Sequence, residues 1–288
     1  MEQKKDHTPF LLKVIRWGFP KLEVIAPSLA HKFFVKLFFT PLRYTTPEKE
    51  RKAETFADQF TFSIEDKVIQ GYQWGKTMPY VLVVHGWAGR ATQFRRFIKP
   101  LQAAGYSVIG FDGPAHGRSS GKKTTITEFE AAIKKIYELK GEPEAIIAHS
   151  FGGGAVFFSA VNGVPVKKLI NIASPTIGDE IINTYLRTIN GSAKSGTRFK
   201  QYIQQTFGNP FDTYTASSLV KRLPSPIDLL LVHDENDREV EIKHALTLKE
   251  IYPSARLLQT KKLGHTRILK DNDVIRNCVT FIQEGRLS

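Results

Sequence analysis

The second half of the chain carries the side-chain types that together activate a serine for attack on a carbonyl carbon. Ser150 lies in AHSFGGG, between the apolar runs PEAII and AVFFSAV. His265 follows another apolar run near the C-terminus, and HDENDREV supplies Asp234, Glu235 and Asp237. A serine hydroxyl attacks poorly until a base takes its proton, and a free imidazole, which titrates near pH ~6.5, is a suitable base. A carboxylate holds such an imidazole in the required tautomer, so these residue types indicate nucleophilic catalysis.

Alternating strands and helices are expected to position these residues. From about residue 60 onward, short apolar runs alternate with helical patterns, which predicts βαβ units and a mainly parallel sheet. The helix TITEFEAAIKKIYELKG is predicted to have Thr127 as its N-cap and Gly141 at its end. The predicted strands are DKVIQGYQWG, PYVLVVHG, YSVIGFD, EAIIAHS, VKKLINIAS, PIDLLLVHDEND and ARLLQTKKLGH. Since parallel strands share one carboxyl edge, a site is expected where they end.

Five segments at these strand ends together resemble the α/β-hydrolase superfamily, especially its single-domain esterases, lipases and serine aminopeptidases. They are HGWAGR, DGPAHGRSS, AHSFGGG, HDENDREV and LGH, and the resemblance covers about residues 60 to 288. It implies an α/β fold with a mostly parallel central sheet, helices on both faces and a lid insertion. Two residues depart from the family pattern. Ala148 replaces the glycine two places before the serine, and Ala115 replaces a glycine in the D-x-P-G-H-G-x-S loop.

The resemblance also implies a role for each site residue. Ser150 is the expected nucleophile, His265 the base and Asp237 the acid that orients the base. The backbone N–H groups of Trp87 and Phe151 are the expected oxyanion hole. The implied function is hydrolysis of a carboxylic ester or a related acyl bond through an acyl-enzyme on Ser150.

Several of these assignments have structural alternatives. Ser150 could cap the following helix, and His265 could be a histidine of a surface loop. Asp234 is the main rival of Asp237, and its own alternative is a carboxylate that caps a loop. The family's loop around Asp112 is mostly structural, which leaves that aspartate outside the expected chemistry.

The remaining histidines near the strand ends are not expected to transfer protons. His85 and His149 lie beside the expected site, and His116 belongs to the structural loop. A metal site made from His85, Asp112, His116 and His233 lacks a paired spacing such as H-x-x-x-H. Serine chemistry needs no metal, so neither a metal nor a cofactor is expected.

Two segments interrupt the alternation. Residues 176–223 separate two strands with only weak helical patterns, which predicts a lid insertion in a hydrolase domain of residues 56–288. Its aromatic residues indicate an apolar acyl pocket, whereas its basic residues would suit an anionic group. The aromatic residues are Phe199, Tyr202, Phe207, Phe211 and Tyr214, and the basic ones are Lys194, Arg198 and Lys200.

The other segment, residues 1–55, is predicted to be a helical, aromatic and basic extension. SLAHKFFVKLFFTP places an apolar stripe on one side of a helix, and this spacing favours packing as core over binding in a membrane interface. The stripe comprises Leu29, Phe33, Phe34, Leu37 and Phe38.

Composition limits the remaining function classes. The chain has 288 residues, 41% apolar residues and a formal charge of +13, spread along its length without a basic run of five. We therefore expect a small-molecule acyl substrate and no nucleic-acid partner, while the oligomeric state is left open. A single cysteine, Cys278, excludes an intrachain disulfide. With neither a secretory signal nor an apolar run of ~20 residues, a cytoplasmic location is predicted.

Two other classes of function stay open on the sequence. One is a thioesterase or peptidase that uses the same residues, because the scaffold hosts both. The other is a non-catalytic protein that binds lipid or associates weakly with a membrane surface, which the aromatic and basic N-terminal segment suggests.

Overall fold

The strands form one eight-stranded sheet in the computed structural model, which describes residues 10–76 and 78–287. The first nine residues of the predicted N-terminal extension lie outside the described residues. The strands are β1 (Asp58–Ile64), β2 (Lys67–Trp74), β3 (Tyr80–Val84), β4 (Ser107–Phe111), β5 (Ala145–His149), β6 (Lys168–Ile172), β7 (Asp228–Asp234) and β8 (Arg256–Thr260). Their spatial order is β1-β2-β4-β3-β5-β6-β7-β8.

The helices of the described residues occupy most of the connections between these strands. They are α1 (Phe10–Ile25), α2 (Pro27–Phe39), α3 (Glu48–Thr55), α4 (Arg95–Ala103), α5 (Ile126–Lys140), α6 (Phe151–Val161), α7 (Gly178–Ile189), α8 (Ala193–Phe207), α9 (Ala216–Leu219), α10 (Lys243–Ile251), α11 (Gly264–Arg267) and α12 (Asn272–Glu284).

The predicted mostly parallel sheet is confirmed. β1 pairs antiparallel with β2, β2 pairs antiparallel with β4, and all later pairs are parallel. The antiparallel strand β1 was not predicted. Parallel strands need crossover connections, and the helices of those crossovers cover both sheet faces, so the central strands are apolar throughout.

Each face of the sheet has its own core. Successive strand residues point to opposite faces, so Leu82 packs with α5, α6 and α10 while Val83 packs with α4 and α12. Large, fully buried side chains fill both layers, with Phe129 and Phe157 on the first face and Phe97 and Phe281 on the second. This double burial fixes the strand ends, and with them the loops that carry the candidate site.

The start of α5 differs from the prediction, because Thr125 rather than Thr127 is the N-cap. The Thr125 hydroxyl accepts a hydrogen bond from the Glu128 N–H, and the Glu128 carboxylate accepts one from the Thr125 N–H. This T-x-x-E pair is a capping box, which satisfies two backbone donors at once. The prediction of Thr127 overlooked the glutamate three residues after Thr125.

The chain divides into two compact units. One contains the sheet and comprises residues 40–177 and 214–288. The other, here called the helical unit, comprises residues 1–39 and 178–213, with α1, α2, α7 and α8 among its described residues. Residues 178–207 thus form two helices, although their sequence showed only weak helical patterns. The lid role of residues 176–223 stays a prediction.

Within the helical unit, most of the apolar stripe of α2 is packed, as its spacing favours, while Leu29 at the start of the helix is 58% exposed. Phe34 is fully buried, with its ring 5.2 Å from that of Phe199. The rings of Phe38 and Phe199 are 4.4 Å apart, and Phe38 also lies 4.6 Å from Tyr185. Phe199, expected to line an acyl pocket, is therefore a core residue of this unit. No helix of the described residues is long and apolar enough to cross a membrane.

Candidate active site

Ser150 lies at a sharp turn between β5 and α6. Its backbone has φ 53° and ψ −125°, a conformation that costs a non-glycine residue about 1–3 kcal/mol and persists only where surrounding contacts impose it. Its N–H donates to the Ile172 carbonyl at 2.8 Å, and its carbonyl accepts from the Ser174 hydroxyl at 2.7 Å. The Ser150 hydroxyl makes no helix-capping bond. The capping alternative for Ser150 is therefore not observed.

Close approach of backbone segments explains which positions at this turn require glycine. A Cβ atom at Gly152 would lie 2.5 Å from the Val84 carbonyl oxygen, and one at Gly86 would lie 2.7 Å from the Ser150 Cβ. Ala148, in contrast, is a fully buried β5 residue whose methyl group belongs to the core beneath α5 and α6. The strict requirement for glycine therefore falls two residues after the serine, and the alanine two residues before it fits.

His265 connects the serine to a carboxylate. It lies in α11, just after β8, and its Nδ1–H donates to Asp237 Oδ2 at 2.8 Å. That bond leaves Nε2 as an acceptor for the Ser150 hydroxyl, at 3.1 Å from its Oγ. The His265 side chain is 9% exposed and that of Asp237 is fully buried. The fold thus brings together three predicted residues that are far apart in the sequence.

Asp237 is held as a carboxylate by donors on both of its oxygens. Oδ2 accepts from His265, while Oδ1 accepts from the backbone N–H groups of Glu239 and Val240 at 2.9 and 3.0 Å. Burial raises the pKa of Asp237, but the bond and the charge of His265 and the two N–H donors outweigh burial, so its pKa lies below the usual value. An ionised carboxylate therefore faces the imidazole.

Asp234, the rival acid, makes different contacts. It accepts from the Asn236 N–H, from the Thr260 hydroxyl at 2.8 Å and from the Leu263 N–H at 3.0 Å. Burial raises its pKa, and the loop N–H groups and the Thr260 hydroxyl lower it below the usual value. The structure thus places Asp234 as the carboxylate that holds the loop before His265, and Asp237 against the imidazole.

The two predicted oxyanion donors are free of protein acceptors. Among the described residues, neither the Trp87 N–H nor the Phe151 N–H donates a hydrogen bond to protein. Phe151 is the first residue of α6, where N–H groups lack helical partners and the helix dipole is positive. Trp87 follows Gly86, which contacts Ser150, and its ring lies 5.4 Å from that of Phe151. Both donors are therefore available to a ligand oxygen.

His116 positions the loop that carries Trp87. Its Nε2 accepts from the Ala88 N–H at 3.0 Å, and its Nδ1–H donates to the Pro114 carbonyl at 2.9 Å. Ala88 has φ 55°, so this bond holds a left-handed residue directly after Trp87. Burial, and after it the neighbouring His85, lower the pKa of His116 to about 3. The ring is neutral with both nitrogens bonded, so His116 has no free position from which to transfer a proton.

His85 connects the same loop to the one after β4. Its Nδ1–H donates to the Gly86 carbonyl and its Nε2 accepts from the Gly113 N–H, both at 2.7 Å. Burial lowers the pKa of His85 to about 4. The positioning role of His85 was missed in the sequence, whereas the loop that contains His116 was expected to be structural. The available signal was a histidine at the end of each of two neighbouring strand–loop junctions.

Asp112 has a structural role, as the family resemblance implied. Its Oδ1 accepts from the Ala91 N–H at 2.9 Å, and its Oδ2 accepts from the Arg118 N–H at 2.9 Å and the Tyr72 hydroxyl at 3.2 Å. Burial raises its pKa, and these bonds offset part of that rise. No group of three or more His, Cys, Asp or Glu side chains among the described residues could hold a metal ion.

His149 supports His265 through the backbone. Its Nε2–H donates to the His265 carbonyl at 2.9 Å, and its buried Nδ1 has no partner among the described residues. Burial, and after it the charge of His265, lower the pKa of His149 to about 3. His149 is therefore a neutral residue that fixes the chain position of His265.

These contacts define what the site can do chemically. The Ser150 hydroxyl can pass its proton to His265 Nε2, and the ionised Asp237 stabilises the resulting imidazolium. Two free backbone N–H groups next to the serine can donate hydrogen bonds to a negatively charged oxygen and so stabilise it. Together these groups suit addition to a carbonyl carbon.

Comparison with known families supports the fold. A family model described as the alpha/beta hydrolase fold matches residues 79–211. An esterase of Pyrococcus furiosus superposes with a TM-score of 0.63 and 17% identity, covering 86% of this chain and 100% of that structure. The α/β-hydrolase fold expected from the sequence is therefore confirmed.

Sequence relatives match over shorter stretches. A dihydrolipoyllysine-residue acetyltransferase component of the acetoin cleaving system of Cupriavidus necator is 27% identical over 171 residues, 58% of this chain and 45% of the relative. A monoacylglycerol lipase of Mycolicibacterium smegmatis is 31% identical over 85 residues, 27% of this chain and 30% of the relative. The chain thus spans less than half the length of these curated relatives.

Proposed function

The chain belongs to the α/β-hydrolase superfamily, and from this premise we propose that it is a serine hydrolase of carboxylic esters or related acyl bonds. The observation that carries the proposal is the continuous chain of hydrogen bonds from Ser150 through His265 to Asp237. The lipase and esterase names of similar proteins agree with this chemistry. No metal or cofactor takes part in the proposed reaction.

In the first half of the reaction, Ser150 Oγ attacks the carbonyl carbon of the substrate. His265 Nε2 takes the hydroxyl proton as the new bond forms, and Asp237 stabilises the imidazolium that results. The N–H groups of Trp87 and Phe151 donate to the oxyanion, and each such donor contributes about 3–4 kcal/mol to the transition state. The bond from the carbonyl carbon to the alcohol oxygen then breaks as His265 protonates that oxygen, and the acyl group stays on Ser150 as an ester.

In the second half, water replaces the alcohol. His265 Nε2 takes a proton from the water as its oxygen attacks the acyl carbon, and the same two N–H groups hold the second oxyanion. The bond from the acyl carbon to Ser150 Oγ breaks, and the imidazolium returns a proton to the serine. The products are a carboxylic acid, an alcohol and the regenerated enzyme.

A fluorescent fluorophosphonate tests the serine role directly, because it labels only activated serines. We expect labelling of the folded wild type, and loss of labelling after heating and in Ser150→Ala. Ser225→Ala, at an exposed loop position, is the matched control and should label fully. Folded wild-type protein that takes up no probe would overturn the proposal of a serine hydrolase.

The bond cleaved is tested with p-nitrophenyl esters of acyl chains from acetyl to palmitoyl, and with matching acyl thioesters. Ester turnover that disappears in Ser150→Ala is the expected result. If only the thioesters are turned over while the fluorophosphonate still labels Ser150, the proposed substrate changes from an ester to a thioester. The proposed role of Ser150 as the nucleophile would then stand.

A further inference from the structure

Helix α1 buries one apolar side and exposes another. On the buried side, Phe19 is 3% exposed and its ring lies 6.0 Å from that of Phe33 in α2. At 3.6 residues per turn, the exposed apolar side chains of α1 fall on one side of that helix, and one more exposed apolar residue lies at the start of α2. This exposed stripe consists of Val14 (44% exposed), Trp17 (68%), Val24 (82%), Ile25 (82%) and Leu29 (58%).

The exposed stripe is unusual for a water-facing surface. Single exposed apolar residues are normal, but a contiguous group of large ones marks an interaction site. The packed stripe of α2 differs, because Phe34 and its neighbours are covered by α8 within the same unit. The membrane alternative therefore does not suit the packed part of α2, but it does suit α1 and the exposed start of α2.

Charge indicates which partner covers the stripe. Residues 10–39 contain five cationic side chains and one carboxylate, a net charge of +4 with histidine neutral. Lys21 lies within the stripe, 3.2 Å above the centre of the Trp17 ring, and Lys32 and Lys36 are exposed on α2. An exposed tryptophan beside lysines is typical of the boundary between lipid headgroups and acyl chains.

The one carboxylate of α1 and α2 is bonded at the start of α8. Glu23 accepts from the Ser192 hydroxyl at 2.7 Å and from the Ser195 hydroxyl at 2.5 Å, at the start of α8. It also accepts from the Ser192 N–H at 3.0 Å. The described surface of α1 and α2 therefore offers an approaching membrane cations and apolar groups, while Glu23 is engaged by the hydroxyl groups of Ser192 and Ser195.

A second copy of the chain fits this surface less well. A symmetric dimer formed through the stripe would bring the same patch of each subunit together, and so place its lysines near the same lysines of the other subunit. An anionic bilayer satisfies both features at once, because its headgroups pair with the lysines and its acyl region covers the apolar side chains.

We propose that the exposed stripe of α1 and the start of α2, with Lys21, Lys32 and Lys36, is a docking surface for anionic lipid bilayers. The side chains that insert at the headgroup boundary are Trp17, Val24, Ile25 and Leu29. The axis of α1 then lies in the plane of the membrane. This docking does not depend on the hydrolase activity proposed for Ser150.

Flotation with lipid vesicles tests the docking surface in the full chain. Vesicles of phosphatidylcholine with about 30% phosphatidylglycerol should carry the wild-type protein, and pure phosphatidylcholine vesicles should carry much less. The double variant Val24→Glu with Ile25→Glu should lower the partition coefficient at least about 30-fold, because it removes two apolar anchors and adds two repulsive charges. Lys32→Gln with Lys36→Gln should lower it about tenfold or more.

The matched control is Leu42→Glu with Leu139→Glu, which adds the same charge at exposed apolar positions outside α1 and α2. It should bind vesicles nearly as well as the wild type. The four positions changed to glutamate are solvent-exposed. Both glutamate double variants should therefore keep the wild-type circular dichroism spectrum and thermal midpoint.

Three outcomes would overturn the proposal. They are wild-type protein that does not float with anionic vesicles, equal losses in the two glutamate double variants, and a stable dimer by light scattering that Val24→Glu with Ile25→Glu dissociates. The last outcome would assign the stripe to a second copy of the chain.

Discussion

Two clusters of histidine and aspartate lie at the carboxyl edge of the same sheet, and they differ in what their ring nitrogens bond. The serine-side cluster, Asp234, Asp237 and His265, follows β7 and β8. The loop-side cluster, His85, Asp112 and His116, follows β3 and β4. In the serine-side cluster, the imidazole bonds a carboxylate on one nitrogen and a hydroxyl on the other. In the loop-side cluster, all four ring nitrogens bond backbone groups.

This difference shows that partners, and not residue types, decide whether a histidine can transfer a proton. His85 and His116 are buried, neutral and fully bonded, so they hold two loops together. His265 has one nitrogen directed at a hydroxyl that can give up its proton. The loop-side cluster thereby positions the Trp87 N–H, and the serine-side cluster positions the imidazole that we propose as the base.

Removal of each histidine is the strongest test of this contrast. His265→Gln should lower kcat by about 10⁴- to 10⁶-fold, because Ser150 loses its base. Its thermal midpoint should change little. His116→Gln should lower kcat by less than about 100-fold and the free energy of unfolding by about 1–3 kcal/mol, because buried backbone groups lose a partner. Ester hydrolysis and urea unfolding measure both quantities, and similar losses of kcat in the two variants would erase the distinction.

The two aspartates of the serine-side cluster should also separate. Asp237→Asn should lower kcat by about 10⁴-fold, because the amide no longer stabilises the imidazolium or fixes its tautomer. Asp234→Asn should lower kcat less than about tenfold, and should reduce stability by about 1–3 kcal/mol through its loop donors. The same ester assay and melting curves decide the matter. A larger kcat effect at Asp234 would make it the acid.

Glycine substitutions in α6 test how closely the serine turn approaches the loop after β3. Gly152→Ala should destabilise the protein by about 1–3 kcal/mol and lower activity, because its methyl group would meet the Val84 and His85 carbonyl oxygens. Gly154→Ala is the control. It has open space around it and should stabilise the helix by up to about 1 kcal/mol. Equal unfolding free energies for the two variants would contradict the close approach.

Acid should weaken the fold through its buried histidines. The pKa values of about 4 for His85 and about 3 for His116 and His149 lie below the ~6.5 of an unfolded chain. Their neutral forms contribute full stability above pH ~6.5, and it is lost as pH falls toward 4. Each contributes about 1.4 kcal/mol per pH unit in that window.

The raised pKa of Asp112 has the opposite effect, because as the pH falls the folded state binds that proton before the unfolded state does and recovers part of the loss. Unfolding midpoints in urea at pH 7 and pH 5 measure the slope. His116→Gln should give a shallower slope than the wild type. The contribution of His116 is wrong if the two slopes coincide.

Much of the fold was predictable because its signals are local. Apolar runs alternating with helical patterns predicted the parallel strands and their helices, and these were confirmed. The first strand and the N-cap of α5 were missed. The apolar alternation in β1 is short, and the strand is partly exposed. At the start of α5, Thr127 was assigned as the N-cap because it is a second threonine, two residues after the actual N-cap Thr125. The sequence of residues 178–207 shows only weak helical patterns. Their two helices are stabilised by packing within the helical unit, which a local pattern does not reveal.

The sequence by itself determined the order of the strand ends along the chain and the residue types placed there. Apolar periodicity and the residues that form turns are properties of neighbouring positions, so they can be recognised without the tertiary structure. It also narrowed the acid to two aspartates. Only the tertiary structure set Asp237 against His265 and Asp234 against its loop, because contacts between residues 28 and 115 positions apart depend on how strands align. It alone also showed which apolar residues of α1 and α2 are covered, such as Phe19 and Phe34, and which are exposed, such as Trp17 and Leu29. Two apolar stripes look alike in the sequence until a neighbouring helix packs on one of them.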